Sequence, residues 1–457
     1  MDTKEVLKVI KERGVESVAL QFVDALGKLY SLWVPPSELE AGLEDGVGMS
    51  GWPYFADVEK SDVIIKPDLG SFMVLPWSLE GRAVAGVMCD IFHPDTREEV
   101  DEGPRYLLKR AIRELKKAVG DHVNLYTAPE MEFFLLKTNE RGEFEVQDDG
   151  SYFSSPPVDK GYELREAMCR GLNQMGIRVV KSHHEAPPGK HEINIEYDKA
   201  LNMADKVQFV KLVVRKLASD QGLMATFMPK PFSHNWGAGH HTHISLLNEA
   251  TGENLLYSDE GEHGLSDLGL YFISGILKHA RALASVTNPT VNSYKRMLPE
   301  SQAPMYISWS KFNRSVLLRI PASTPGATRV EYRPSDGSCN VYLSFSALAY
   351  AGLDGITKKE PPPPPYDENV YALTKEERIK KGIEELPKSL GEALAELEKD
   401  EVVKGALGAL FRKFYKLKSD EWTEYSYNVY DWERKKYLDD RDTVPYLRPV
   451  WQMGKKT

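Results

Sequence analysis

The alternation and spacing of apolar residues divide the chain into short, distinct elements. Residues 3–13 repeat at the spacing of an amphipathic helix. From Val18 to Val34 two alternating runs flank Ala25-Leu26-Gly27-Lys28, the pattern of a β-hairpin, and Pro35-Pro36 ends it. The glycine-rich stretch from Glu44 to Tyr54 predicts an exposed loop. Two more apolar runs fall within residues 72–92. Proline and acids cluster between His93 and Gly103, which sets a boundary there. Residues 1–100 are therefore expected to form a small, mostly stranded domain, and residues 101–457 a larger one. In the latter, Leu108, Ile112, Leu115 and Val119 share one helical face, and the run VNLYTAPEMEFFLLK reads as a strand. Helices are expected over 161–176, 205–222 and 266–287, the last with Ser266 as N-cap. Strand-like runs recur at 225–228, 241–247, 304–309, 315–320 and 329–333. The run PPPPPYD is a stiff extended segment, and residues 374–416 are helical and charged. The C-terminal stretch, rich in Trp and Tyr, is expected to dock on the main domain, and no internal repeat is visible.

A length of 457 residues favours two or three domains with a sizeable core. The composition, 42% hydrophobic and 28% charged, is that of an ordinary soluble protein. The net charge of -10, with both signs interspersed, argues against a nucleic-acid binder. No apolar run reaches the ~20 residues a membrane helix needs, and the charged N-terminus does not read as a signal peptide. The three cysteines, Cys89, Cys169 and Cys339, are not spaced as a zinc or redox pair, so a cytoplasmic setting is expected.

The candidate chemistry centres on Lys181 to Glu196, KSHHEAPPGKHEINIE. Pro187, Pro188 and Gly189 force a turn, and the following HEINIEY alternates as a half-buried strand. Glu185 and Glu192 are thus held at the ends of one turn, where they repel unless a cation lies between them. Three further pairs are each two residues apart in strand-like sequence: Glu130 and Glu132, His241 and His243, Glu331 and Arg333. In a strand that spacing puts both side chains on one face. Each pair alone fits a solvated surface. The apolar flanks, such as Phe133 to Leu136, favour burial instead, and buried acids need a partner. Five carboxylates with one imidazole suit Mg²⁺ or Mn²⁺ better than zinc. Arg296, Arg314, Arg319, Arg329 and Arg333 fall within forty residues, and arginine suits bidentate contact with carboxylate or phosphate.

The motifs APEMEFFLL, HHEAPPGKHEI, ATFMPKPF, GAGHHTHISL, NPTVNSYKRM, NRSVLLRIP and TRVEYRP resemble the glutamine synthetase family, in order and over nearly the whole chain. The resemblance implies an α+β protein: a small N-terminal β-grasp-like domain before a large α/β catalytic domain of the glutamine synthetase and guanido kinase type. It implies hexameric rings, usually stacked as dodecamers, with active sites between subunits. One metal site would take Glu132, Glu185 and Glu192, the other Glu130, His241 and Glu331. Arg314, Arg319 and Arg329 would hold the ATP phosphates, with His243 and Ser245 on the nucleotide side. Arg296 and Arg333 would hold the glutamate carboxylates, with Asn235 and Gly237 in the loop beside them. Tyr152 would line the ammonium site, and Asp45 would reach in from a neighbouring subunit. Asp45, Glu185, Arg314 and the flap residue Gln302 are the catalytic candidates.

Departures from the family pattern gather at the acceptor end. Gln302 stands where ammonia-using members carry glutamate, and glutamine cannot take a proton. Gly48 replaces the usual serine, and Asn235-Trp236-Gly237-Ala238-Gly239 is one residue longer than the family loop. These changes point to a small primary amine as acceptor, with Trp236 as an apolar wall. Ammonia remains the alternative acceptor, a substrate other than glutamate remains open, and a non-catalytic member is disfavoured by the six retained metal ligands.

Overall fold

The hydrophobic runs before residue 93 assemble into one sheet in the computed structural model, which describes residues 1–51, 62–297 and 303–438. Its strands are β1 (Val15–Val23), β2 (Leu29–Val34), β3 (Val47–Ser50), β4 (Asp62–Pro67), β5 (Met73–Leu79) and β6 (Arg82–Phe92). The order is β2-β1-β6-β4-β3, with β5 also on β6, and β1 runs parallel to β6. β6 alternates between two cores. Ala85, Val87, Cys89 and Ile91 pack with Val6 and Ile10 of the helix Thr3–Arg13 and with Leu39 of the helix Pro36–Glu44. Val84 and Met88 join the core of the rest of the molecule. The expected loop after Glu44 contains β3, because Val47 and Met49 alternate against the small core while Gly48 and Ser50 face outward. Residues 52–54 of that expectation lie outside the described residues.

The second sheet comprises β7 (Val123–Thr138), β8 (Phe144–Val146), β9 (Val179–His184), β10 (Lys190–Ile195), β11 (Asp198–Lys199), β12 (Met224–Thr226), β13 (Thr242–Asn248), β14 (Glu253–Asn254), β15 (Trp309–Lys311), β16 (Leu318–Ile320) and β17 (Val330–Tyr332). The main path is β15-β16-β17-β13-β7-β10-β9. The 16-residue β7 is the seam. Its first half, Val123 to Pro129, pairs with β13, and from Glu130 to Phe134 it pairs with β10. Two facing strands therefore diverge at Glu130, and a cleft opens between them. β10 is buried along its whole length rather than half-buried. Its alternation separates core from cleft: Ile193 and Ile195 face the core, Glu192 the cleft.

Helices cover the sheet. Val341–Lys358 is buried throughout its first nine residues and packs on Pro104–Val119 and Asp267–Lys278. Sequence reading does not single it out, since a helix apolar on every side has no polar face to mark its period. Of the run expected at 304–309, residues 304–308 form only an isolated bridge at Tyr306, and Trp309 begins β15. The helix Phe411–Tyr427 docks through Phe414 and Trp422. At the junction of the two sheets, Arg105 meets Asp68, Asp90 and Asp205 together.

The expected helix over 266–287 is two, Asp267–Lys278 and Ala280–Thr287, joined at His279. The Ser266 side chain caps the first by accepting from the Gly269 amide at 3.0 Å. His279 pairs with Asp400 at 2.7 Å and Asp354 at 3.0 Å. Burial opposes its charge, but the two carboxylates outweigh that and raise its pKa above 6.5. A raised folded pKa gives stability that is complete below the unfolded value and lost as pH rises through the folded one. The melting temperature of the native chain is thus expected to exceed that of His279→Gln by more at pH 6 than at pH 9; an equal gap at both would contradict the pairing.

Candidate active site

Register brings the acids together. β10 sets Glu192 directly across from Glu132, and β17 sets Glu331 across from both His243 and Arg319. Glu130 lies at the seam, its amide bonded to the carbonyl of His241 at 2.9 Å. Its carboxylate meets His241 Nδ1 at 2.8 Å and His243 Nε2 at 3.2 Å. Arg329 Nε donates to His243 Nδ1 at 3.2 Å, which leaves Nε2–H of that ring to donate to Glu130. Burial opposes ionisation of Glu130, but the two histidines hold its carboxyl well below the usual range.

Glu331 is almost fully buried and receives Arg333 Nη1 at 2.5 Å and Arg319 Nη1 at 2.7 Å. Burial alone would raise its pKa; Arg333 and the nearby histidines bring it down to about 2. Arg296 Nη1 donates to the carbonyl of Pro334 at 2.7 Å, behind the same wall.

Two adjoining clefts meet at Glu130, Lys181, Arg314 and Arg319. The first, about 720 Å³, is lined by His243, Ser245, Arg314, Arg319 and Arg329. The second, about 550 Å³, takes in Glu130, Glu132, Glu185, Glu192, His241 and Glu331. It also holds Tyr152, Trp236, Gly237, Arg296 and Arg333. Of the remaining candidates, Asn235 is half-buried and lines neither cleft; Lys230 Nζ holds its carbonyl, and Trp236 and Gly237 line the cleft in its place. Asp45 is exposed at the end of the helix Pro36–Glu44 and lines neither cleft of this single chain. Gln302 lies outside the described residues.

The acids and histidines lining the clefts form three groups with ligand atoms within 4.8 Å of one another, Glu130–Glu132–His241, Glu130–His243–Glu331 and His183–Glu185–Glu192, and a fourth, Asp148–Asp159–His184–His191, lies behind them. The first two share Glu130, and their oxygen-rich donors with imidazole fit a hard divalent cation. The third does not include Glu132. Lys190 stands between, its Nζ 2.7 Å from Glu132 and 3.4 Å from Glu185. Burial would raise the Glu132 pKa, but Lys190 and the nearby cations lower it to about 2. Burial and the neighbouring Glu132 and Glu192 keep the pKa of Glu185 raised despite Lys190.

Sequence reading assigns no role to Lys190 or to His183, which precedes Glu185. A lysine beside a turn reads as solvated, and only the register shows that it shares the inward face with Glu192. Behind the site, His184 meets Asp148 at 2.9 Å, and Arg165 joins His191 at 2.8 Å to Asp159 at 2.7 Å. Asp148 and Asp159 bracket the loop that bears Tyr152. Glycine is required here: a Cβ at Gly150 would stand 2.5 Å from His184, and one at Gly161 2.4 Å from His191. The loop is thereby tied to the strands that carry Glu185 and Glu192. Tyr152 and Phe153 lie with ring centres 3.9 Å apart, and His183 meets both edge-on.

Residues 14–94 match the family model "Glutamine synthetase, beta-Grasp domain", and residues 101–437 match "Glutamine synthetase, catalytic domain". The glutamine synthetase of Thermotoga maritima is 45% identical over 443 residues, 96% of this chain and 100% of that protein. That of Thermus thermophilus is 43% identical over 446 residues, 95% of this chain and 98% of that protein. Among solved structures, a chain described as a GmaS/ADP complex superposes with a TM-score of 0.85 at 33% identity, covering 94% of this chain and 99% of its own. A Plasmodium falciparum glutamine synthetase superposes with a TM-score of 0.82 at 25% identity, covering 96% and 99%. With its β-grasp domain, its larger catalytic domain and the converging acids and arginines between β7, β10, β13 and β17, the chain belongs to the glutamine synthetase family of ATP-dependent ligases.

Proposed function

We propose that this ligase joins the γ-carboxylate of glutamate to a small primary amine through a γ-glutamyl phosphate. The observation that carries the choice of acceptor is the aromatic lining of the second cleft, where Trp236 occupies the extended loop and shares the wall with Tyr152. An alkyl group gains from an apolar wall, whereas ammonia does not. The structural likeness to the GmaS chain supports an acceptor other than ammonia alone; the 45% identity to a glutamine synthetase keeps ammonia as the second reading.

In this reading Arg314, Arg319 and Arg329, with His243 and Ser245, surround the ATP phosphates, and Arg296 and Arg333 orient the glutamate carboxylates. A divalent cation, Mg²⁺ or Mn²⁺, held by Glu130, Glu132, His241 and Glu331 would neutralise charge as two anions meet. The amine nitrogen then attacks the acyl carbon and phosphate leaves. Glu185, in the cleft with Tyr152, takes the proton. Closure against water protects the acyl phosphate from hydrolysis. Asp45 is assigned to a neighbouring subunit's site in a ring-shaped oligomer, which accords with its exposure here.

The test is ADP release with glutamate and a panel of ammonia, methylamine and ethylamine, with products identified by mass spectrometry. An alkylamine is expected to exceed ammonia in kcat/KM by about tenfold. Trp236→Ala should cost the alkylamine about tenfold and ammonia little, as expected for loss of one apolar contact. Ammonia proving clearly the best acceptor would overturn the reading.

A further inference from the structure

A buried cation already stands between the acids of the cluster, and it is a side chain. Lys190 opens β10 two residues before Glu192, so both point into the cleft. Its Nζ donates to Glu132 Oε2 at 2.7 Å and to the carbonyl of Gly237 at 3.1 Å, and pairs with Glu185 at 3.4 Å. The Lys190 side chain is 7% exposed and that of Glu132 6%. The same Glu132 oxygen also accepts the Gly239 amide at 2.6 Å. It therefore has two donors already and little capacity left for a further ligand bond in that direction. On the far side, Glu192 is engaged by Asn194 Nδ2 at 2.8 Å and lies 3.4 Å from His183 Nε2. A divalent ion shared by Glu132, Glu185 and Glu192 would have to displace these donors and sit beside an ammonium of like sign. Among the described residues no lysine joins Glu130, His241 and Glu331; Arg319 and Arg333 hold Glu331 from the sides, and no cation stands between Glu130 and Glu331 as Lys190 does between Glu132 and Glu185.

We propose that the ammonium of Lys190 is the resident cation between Glu132 and Glu185, in place of one divalent ion, and that metal binding is confined to the side formed by Glu130, Glu132, His241 and Glu331. The inference deepens the ligand assignment made above and is independent of which amine is the acceptor. The consequence is a site that keeps its acids together without a full complement of metal. An ammonium holds its place in chelator, where a metal ion is stripped out.

The experiment counts Mn²⁺ ions bound per subunit of the full chain, by equilibrium dialysis and metal analysis. Lys190→Gln is expected to bind one more ion per subunit than the native chain. Glu185→Gln should leave the native count unchanged and remove the extra ion from the Lys190→Gln background. In chelator, Lys190→Gln should melt lower than the native chain and gain more from added Mn²⁺. Equal counts in the native chain and Lys190→Gln, or an ion lost from the native chain on Glu185→Gln, would overturn the proposal. Should Lys190→Gln fail to fold, Glu185→Gln in the native background decides the matter alone. A finding that ammonia is the better acceptor would leave these counts unaffected.

Discussion

Arg105→Ala is expected to destabilise the chain by about 3–5 kcal/mol, the range for removing one partner of a buried charge network. The guanidinium reaches Asp205 through Nε at 3.1 Å and Nη2 at 2.9 Å, and also pairs with Asp68 and Asp90. Asp205 is buried on the helix Ala200–Asp220 and, among the described residues, keeps the Tyr342 hydroxyl, at 2.7 Å, as its side-chain partner once Arg105 is gone. Asp68 and Asp90 belong to the first sheet's domain and Asp205 to the second, so the loss falls on the junction. Lys109, 3.0 Å from Asp90, can compensate only that acid. Urea unfolding measures the effect; a loss under about 1 kcal/mol would mean that the three acids find other partners.

The second large effect is catalytic. Glu331→Gln is expected to lower the rate of ADP release by about 10²–10³, the range for loss of one preorganised electrostatic group. Glu331 is shared between Arg319 of the nucleotide cleft and Arg333 of the second cleft. A neutral amide of the same shape leaves both guanidiniums without their counter-charge and removes a candidate metal ligand. Because the shape is kept, an unaltered thermal melt would separate this loss from unfolding. Activity within threefold of the native enzyme would exclude Glu331 from the chemistry.

Much of this site was legible in the sequence because strand geometry is regular. The i, i+2 pairs Glu130/Glu132, in β7, and Glu331/Arg333, in and just past β17, line the same cleft, so their convergence needed only the pairing order of the strands. Turn chemistry at Pro187-Pro188-Gly189 likewise fixed the β9–β10 connection. What was not legible depended on tertiary placement. Lys190 has the sequence signature of a surface lysine, and its burial depends on the strand register and on the loop whose Gly237 carbonyl accepts from it. Likewise, residues Val341–Lys358 offer no amphipathic rhythm, since the helix is enclosed by the helices on which it packs. β3 was obscured by its glycines, and its strand state is imposed by β4. The need for a cation between the acids of the Glu185–Glu192 turn was readable from repulsion alone; that the chain supplies one itself was not.

β7 exchanges β13 for β10 at Pro129 and Glu130. One added residue at that point would leave Ser245 and His243 in place and turn Glu132 over to the opposite face, away from Glu192. Two added residues would restore the facing. The reaction centre is thus bound to a parity: along this strand, chain length can change only in even steps if both halves of the cleft are to keep looking at each other.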